Sequence, residues 1–344
     1  MRVTIKDIAE RAGVHRATVD KVIHERPGVS DDVRTRIKEI IQELGYTPNP
    51  AGRLLQKQGR IYQISAILLD VDAFPYLKQG LEEGIRNQTG FDIRMQVSVC
   101  KVSEPERQVE LIHAAIEEKV DAIIICPINT TSVREAIVKA RENNILVVMT
   151  NSYLKNTEHC RCVTIDSVRA SKIAARLMGE FLRGKGQVAI ISTAMAEENN
   201  LADVSVRATG FIDYMKEIYP EIEIAEKIES FEEKATIRIK TQELLERYPN
   251  LRGIYIAGGG VAQVGKILKD SGRYEDIKVV CFEDYPEILE LLKEGVVDCT
   301  LSGDINRQGS LPIELAMDYL VFGKLPKKHH IFTETRVILK ESIF

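Results

Sequence analysis

Residues 3–24 read Val3-Thr4-Ile5-Lys6-Asp7-Ile8-Ala9-Glu10-Arg11-Ala12-Gly13-Val14-His15-Arg16-Ala17-Thr18-Val19-Asp20-Lys21-Val22-Ile23-His24. Thr4 is placed to cap a helix in which Ile5, Ile8, Ala9 and Ala12 recur at spacings of three and four and so share one face. Gly13 supplies the permissive backbone that stops that helix. After a tight Gly13-Val14 turn, Val19, Val22 and Ile23 form the inner stripe of a second helix, with Arg16, Ala17, Asp20 and Lys21 on its other side. Pro27-Gly28 breaks the chain. Ser30 is placed to cap a third helix over 31–44, with Val33, Ile37, Ile40, Ile41 and Leu44 inward and Gly45 at its end. Two short helices joined by a Gly-containing turn, the second polar on one face, follow the helix-turn-helix plan. By spacing alone, a three-helix bundle with no role on DNA is the competing reading.

Charge divides the chain at the same place. The 344 residues carry a formal net charge of −4. Residues 1–60 hold 12 Lys and Arg against 8 Asp and Glu, while the remainder holds 35 against 43. A small basic head on an acidic body is the asymmetry of a nucleic-acid reader with a second, separate domain. Beyond residue 61 the pattern alternates between strand-length β-branched runs (64–69, 93–99, 122–126, 145–149, 188–191, 254–257 and 279–282) and amphipathic segments. Continuous apolar strands with crossover helices predict parallel sheets covered on both faces, in two units split near residues 163–166. No apolar run approaches the roughly 18 residues of a membrane span. The charged start, Met1-Arg2-Val3-Thr4-Ile5-Lys6-Asp7, lacks the apolar stretch of a signal peptide, so a cytoplasmic protein is expected. The six cysteines show no metal or redox spacing, and reduced, buried thiols are expected.

The stretch 3–14, with Thr18-Val19, Val29-Ser30 and Leu44-Gly45-Tyr46-Thr47-Pro48-Asn49-Pro50, closely resembles the lactose-repressor (LacI/GalR) family of bacterial transcription regulators. The resemblance is dense over the first 60 residues. It implies a homodimeric repressor that binds pseudo-palindromic double-stranded operator DNA under the control of a small-molecule effector, most simply a sugar or sugar-like metabolite. The division it implies is a helix-turn-helix domain over 1–48, a hinge over 49–60 and an effector-binding and dimerisation domain over 61–344. The candidate DNA-binding residues are Thr4, Arg16, Ala17, Thr18, Lys21, Arg53 and Leu55. Arg16 and Lys21 would read guanine edges, Ala17 would at most touch a thymine methyl, and Leu55 would wedge into the minor groove beside Arg53 on the phosphates. His15, Asp20 and His24 depart from the family's usual residues, and Asp20 is spaced to pair along the helix with Arg16 or His24. Gly52 replaces a more helix-favouring alanine in the hinge.

For the body the resemblance implies the periplasmic-binding-protein fold, nearest to the ribose-binding type: two lobes joined by crossings near residues 160–166, 282–286 and 302–306. Ligands of open α/β sheets sit outside the carboxyl ends of strands, which selects the loops 70–76, 127–131, 150–153, 192–198, 258–260 and 282–284. Candidate effector-binding residues are Phe74, Tyr76, Asn129, Ser205, Gly258 and Glu283. Phe74 and Tyr76 offer rings for stacking. Asn129 and Glu283 occupy positions where the family carries ligand-binding acids. Ser205 and Gly258 stand where a ligand-binding Arg and Asn are usual, so the pocket need not take a plain pentose or hexose. Arg207 is read as structural.

Three rival functions are weighed against this one. The turn Gly258-Gly259-Gly260 follows a strand, as phosphate-binding turns do, but the G-x-G-x-x-G pattern fails at Ala262 and Gln263, and no other catalytic motif occurs, so no enzyme, cofactor or metal is expected. A sugar-binding protein without a regulatory role conflicts with residues 1–60. A regulator answering to a protein co-effector is the remaining alternative.

Overall fold

The structure, a computed structural model, describes residues 3–23, 27–44, 59–157, 159–196 and 200–343. Its chain divides into two compact units, Met1–Gln58 and Gly59–Phe344. Residues 45–58 lie outside the described residues, and with them the expected hinge residues Arg53 and Leu55. So do His24 and the end of the expected 192–198 loop.

The first unit is three helices, α1 (Ile5–Ala12), α2 (Arg16–Ile23) and α3 (Asp31–Glu43). Thr4 and Asp7 cap α1 reciprocally: Thr4 Oγ1 accepts the Asp7 N–H at 3.4 Å and Asp7 Oδ2 accepts the Thr4 N–H at 2.7 Å. The Thr4 N–H and hydroxyl, both donating to Oδ2, hold the Asp7 carboxyl below its ordinary pKa. Gly13 then turns the chain with φ +63°, where a side chain is strained. His15 Nδ1 accepts the Ala17 N–H at 3.2 Å, so an imidazole does at the start of α2 what a serine hydroxyl commonly does. Ser30 stands at the start of α3 but its hydroxyl makes no capping bond, contrary to the expectation; only its carbonyl takes part, accepting from Arg34 at 2.9 Å. Ile8, Ala9, Ala12, Val19, Val22, Ile37 and Ile40 form the buried core of the unit.

The second unit holds two six-stranded sheets. One contains β1 (Ile61–Leu69), β2 (Asp92–Cys100), β3 (Ala122–Ile125), β4 (Leu146–Thr150), β5 (Arg161–Thr164) and β11 (His330–Phe332), in the order β11-β5-β4-β3-β1-β2. The other contains β6 (Gly186–Ser192), β7 (Ile222–Glu229), β8 (Leu251–Ile256), β9 (Lys278–Phe282), β10 (Cys299–Ser302) and β12 (Arg336–Ile338), in the order β12-β10-β9-β8-β6-β7. Every neighbouring pair is parallel except β10 with β12. The helices are α4 (Phe74–Asn87), α5 (Pro105–Glu117), α6 (Thr131–Glu142), α7 (Ser167–Phe181), α8 (Ala202–Ile218), α9 (Lys234–Arg247), α10 (Val261–Asp270), α11 (Pro286–Lys293) and α12 (Ile305–Phe322). None is long and apolar enough to cross a membrane.

The chain passes between the sheets after β5, after β10 and between β11 and β12. The crossing expected near 282–286 is not one of them. There the chain leaves β9, forms α11 and returns as β10, the neighbour of β9 in the same sheet. The third passage lies instead at 333–335, between strands of three residues that carry too little apolar pattern to register in the sequence. His330 begins one of these strands.

After its passage between the sheets, α12 packs on α4 through small residues. A Cβ on Gly80 would meet the Asn306 carbonyl oxygen at 2.3 Å and the Gly309 Cα at 2.9 Å, so the two backbones approach as closely as the glycines allow. Gly80→Ala should therefore cost about 1–3 kcal/mol, the usual range for overpacking. Thermal unfolding checks this: the melting temperature should fall by several degrees, whereas Gln79→Ala on the exposed face of α4 should leave it nearly unchanged.

Candidate functional site

The polar face of α2 carries the residues that the sequence singled out. Arg16, Ala17 and Lys21 are exposed, whereas Thr18 is half-buried beside the core residue Val19. Two long cationic side chains thus lie exposed on α2, with Lys21 Nζ near Gly28. Thr4 is exposed too, but its hydroxyl is engaged by Asp7, donating to Oδ2 at 2.8 Å.

In the body, the carboxyl ends of the two sets of strands face one another across a cleft. Its outer part has a volume of about 870 Å³, with walls from the loops after β1, β2 and β7 and the starts of α10 and α11. A smaller recess of about 50 Å³ continues inward between Asp72, Asn151, Arg207, Glu232 and Glu283. The lobes touch at several points. The Tyr76 ring stacks on Tyr285, centroids 4.3 Å apart and planes at 5°, and its hydroxyl donates to Glu287 at 3.2 Å. Asp72 of the first lobe accepts the Gly260 N–H of the second at 3.1 Å and lies 3.6 Å from the Lys234 ammonium. The Asn129 N–H donates to the Asn200 carbonyl at 2.9 Å.

Arg207 is the charged centre of the recess. It is only 4% exposed, with its guanidinium 4.2 Å above the Phe282 ring and 3.6 Å from Glu283. Burial pushes the Glu283 carboxyl up to about 7 and that of Asp203 up to about 6, and Arg207 opposes both shifts. Asp203 accepts from the hydroxyls of Thr164 and of Ser167, the latter at 3.0 Å, on either side of the first passage between the lobes. Among the described residues, two atoms of the pair have no partner: Arg207 Nε, a donor, and Glu283 Oε2, an acceptor. Orphaned polar atoms this deeply buried are costly unless a ligand or water satisfies them.

The glycine turn does something other than hold phosphate. Glu232 Oε1 accepts from the Gly259 N–H at 3.0 Å and from the Thr193 hydroxyl, and Asp72 takes the Gly260 N–H. A Cβ on Gly258 would lie 2.7 Å from Glu232, and one on Gly259 1.9 Å from it. Glycine is required at both positions because carboxylates fill the space. The donors that a phosphate would need are already bound to the protein's own acids. Burial pushes Glu232 above its ordinary pKa, and neighbouring Asp72 pushes the same way, while Thr193 and Gly259 oppose them.

Of the residues named from sequence, Phe74 and Tyr76 line the outer cleft and Gly258 and Glu283 the recess. The inner face of Tyr76 is taken by Tyr285. Asn129 lies at a lobe–lobe contact, its side-chain oxygen accepting from Arg134 at 3.1 Å, and is absent from the lining of both cavities. Ser205 lies in the first turn of α8, its hydroxyl accepting from Asn200 at 2.6 Å and donating to the Ala196 carbonyl at 3.1 Å. Sequence reasoning missed Asp72 and Glu232 and gave Arg207 only a structural role. Glu232 follows Ile222-Glu223-Ile224-Ala225-Glu226-Lys227-Ile228, an edge strand whose charged residues interrupt the apolar run, so no strand signal marked the loop after it.

The family model for bacterial regulatory proteins of the lacI family matches residues 4–49, and that for the periplasmic binding protein domain matches residues 70–325. The HTH-type transcriptional regulator RegA of Clostridium saccharobutylicum is 26% identical over 365 residues, 99% of each chain. Catabolite control protein A of Priestia megaterium is 28% identical over 204 residues, 59% of this chain and 58% of its own length. The body shares its fold with GanP, a glucose-galactose binding protein from Geobacillus stearothermophilus, at a TM-score of 0.73 and 22% identity over 83% of this chain and 99% of that one. A solute binding protein from Burkholderia graminis, in complex with D-arabinose, gives 0.75 and 22% over 81% and 96%. Helix-turn-helix unit and two-lobed body follow one another in the order these matches require: the chain belongs to the lacI family of bacterial regulatory proteins, with a periplasmic binding protein domain as its body.

Proposed function

We propose that this DNA-binding transcriptional regulator is a repressor, and that a small molecule held in the cleft of the body sets its affinity for operator DNA. The observation that carries the reading is the pair of unpartnered buried atoms, Arg207 Nε and Glu283 Oε2, in a recess walled by both lobes. A ligand that satisfies them while touching Asp72 and Asn151 of the first lobe binds the closed arrangement of the lobes better than an open one, and such a difference in affinity is what shifts an equilibrium. The proteins of like fold that bind glucose, galactose and D-arabinose support a small polar ligand. Arg16 and Lys21 are proposed to read base edges, with Ala17 and Thr18 alongside, Thr4 at the start of α1, and Arg53 and Leu55 in the hinge. The working form is proposed to be a homodimer on a pseudo-palindromic site, without catalytic activity.

Neutralising roughly 8–10 phosphates per dimer should give a log–log slope of affinity on salt of about −7 to −9. A slope shallower than about −3 at a purified operator would contradict duplex binding by the head. Lys21→Ala should cost roughly 1–3 kcal/mol at one base pair of each half-site and flatten the preference there. Selection on randomised operators measures that preference, and an unchanged profile would remove Lys21 from the reading set.

For the cleft, Arg207→Lys keeps the charge but loses the planar fork and Nε donor. It should weaken the response to effector at least tenfold while effector-free operator affinity stays within a few-fold. Fluorescence anisotropy on labelled operator, with and without effector, reports both quantities. An undiminished response would place the effector elsewhere.

A further inference from the structure

The recess is lined by three carboxylates, Asp72, Glu232 and Glu283, and a single cation, Arg207. Arg207 faces Glu283, at 3.6 Å. Asp72 and Glu232 come from opposite lobes, after β1 and after β7, and converge on the bare Cα of Gly259. Asp72 Oδ2 and Glu232 Oε2 both lie within 3.4 Å of the point that a Cβ on Gly259 would occupy. The other cation near them is Lys234, which reaches Asp72 Oδ1 from the rim with 69% of its side chain exposed. Like charges that meet this closely, both half-buried, are unfavourable unless a proton or a cation stands between them. Among the described residues no group of three or more His, Cys, Asp or Glu side chains is arranged to hold a metal ion.

Resting on the reading of the cleft as the effector site, we infer that the effector is a polyhydroxylated molecule carrying a protonated primary amine, and that Asp72 and Glu232 receive the amine. An ammonium group presents three donors and no acceptor, matching an environment of carboxylate oxygens. Beside it, Arg207 Nε donates to a ligand hydroxyl oxygen and Glu283 Oε2 accepts a ligand hydroxyl proton, which fixes the hydroxylated part of the frame. Because each lobe supplies one carboxylate, the amine draws the lobes together, whereas a neutral sugar leaves the two acids opposed. A phosphorylated or carboxylated ligand meets both acids and finds the Gly259 and Gly260 N–H groups already occupied.

The test uses the full chain, with thermal shift and titration calorimetry against amino sugars, aminocyclitols and aminoalditols. Each amine is paired with its hydroxyl counterpart and, where it exists, its phosphate ester. D-glucosamine, D-glucose and D-glucose 6-phosphate form one such set. An amine should bind at least tenfold tighter than its hydroxyl counterpart, and the phosphate should not bind. Glu232→Gln and Asp72→Asn should each abolish that preference, bringing the amine and its hydroxyl counterpart within about threefold of one another. Either variant alone suffices should the other fail to fold. Equal or tighter binding of a neutral or phosphorylated member would overturn the inference and leave the cleft as effector site. An amine preference that survives both variants would overturn the assignment to Asp72 and Glu232. No binding by any class would overturn the effector reading, and this inference with it.

Discussion

One guanidinium organises the interior of the body. Arg207 is almost wholly buried on α8, supported beneath by the Phe282 ring, and the Tyr255 hydroxyl donates to its backbone carbonyl at 3.2 Å. A charge so placed is tolerable only among opposite charges, and breaking such a group by removing one partner is far more costly than never having built it. Glu283 at the end of β9 and Asp203 one turn earlier on α8 supply the negative charge. Asp203 in turn holds the hydroxyls of Thr164 and Ser167, which flank the first passage between the lobes. The electrostatics of the recess and the geometry of the first passage between the lobes are therefore one network.

Backbone strain falls partly on the same map, while Lys119, Asn144 and Arg183, also at positive φ, follow the ends of α5, α6 and α7. Asn151, Phe231, Glu232 and Glu283 have φ of 59°, 50°, 61° and 76°, and all four lie in loops at the carboxyl ends of strands facing the cleft. Residues other than glycine held there cost on the order of 1–3 kcal/mol each and persist only where their surroundings over-determine them. The surroundings here are specific: the Phe231 N–H donates to the Thr193 carbonyl at 2.8 Å and the Glu283 N–H to the Leu301 carbonyl at 2.8 Å. These bonds turn Glu232 and Glu283 inward instead of letting their loops relax to water.

How much of this was legible in the sequence depended on whether the signal was local. The head was nearly all legible, because Ile8, Val19 and Ile37 bury at helical period and Gly13 ends α1 by its own conformational freedom. The central strands were legible because burial on both faces makes them continuous apolar runs. The edge strand β7 was not, since half its residues face solvent and are charged. The three-residue strands β11 and β12 were not, since pairing with β5 and β10 rather than composition defines them, and so the third passage was misplaced. The site divided likewise. Glu283 could be found at the end of a readable strand. Asn129 sits at the end of another such strand, yet its neighbour Arg134 and the opposing Asn200 hold it at the contact between lobes. Glu232 had no readable strand before it, and the role of Arg207 depends on partners 4 and 76 positions away in the chain, which no spacing rule connects.

The glycine turn shows why a motif must be judged by what fills it. Three glycines after a parallel strand, opening a helix, offer backbone N–H groups to an anion, and phosphate is the usual occupant. Here two of those groups are bound to Glu232 and Asp72, so the anion is part of the protein itself. The same backbone geometry that elsewhere attracts a phosphate here fixes two acids, one from each lobe, against the cleft. An anion entering the turn would have to displace a carboxylate from it and leave that group unpaired. Substituting the glycines does not restore a phosphate site, because a Cβ at Gly259 collides with Glu232 before any ligand enters. The turn thus belongs to the charge network of Arg207, Glu283 and Asp203, and its glycines are set by the carboxylates they seat.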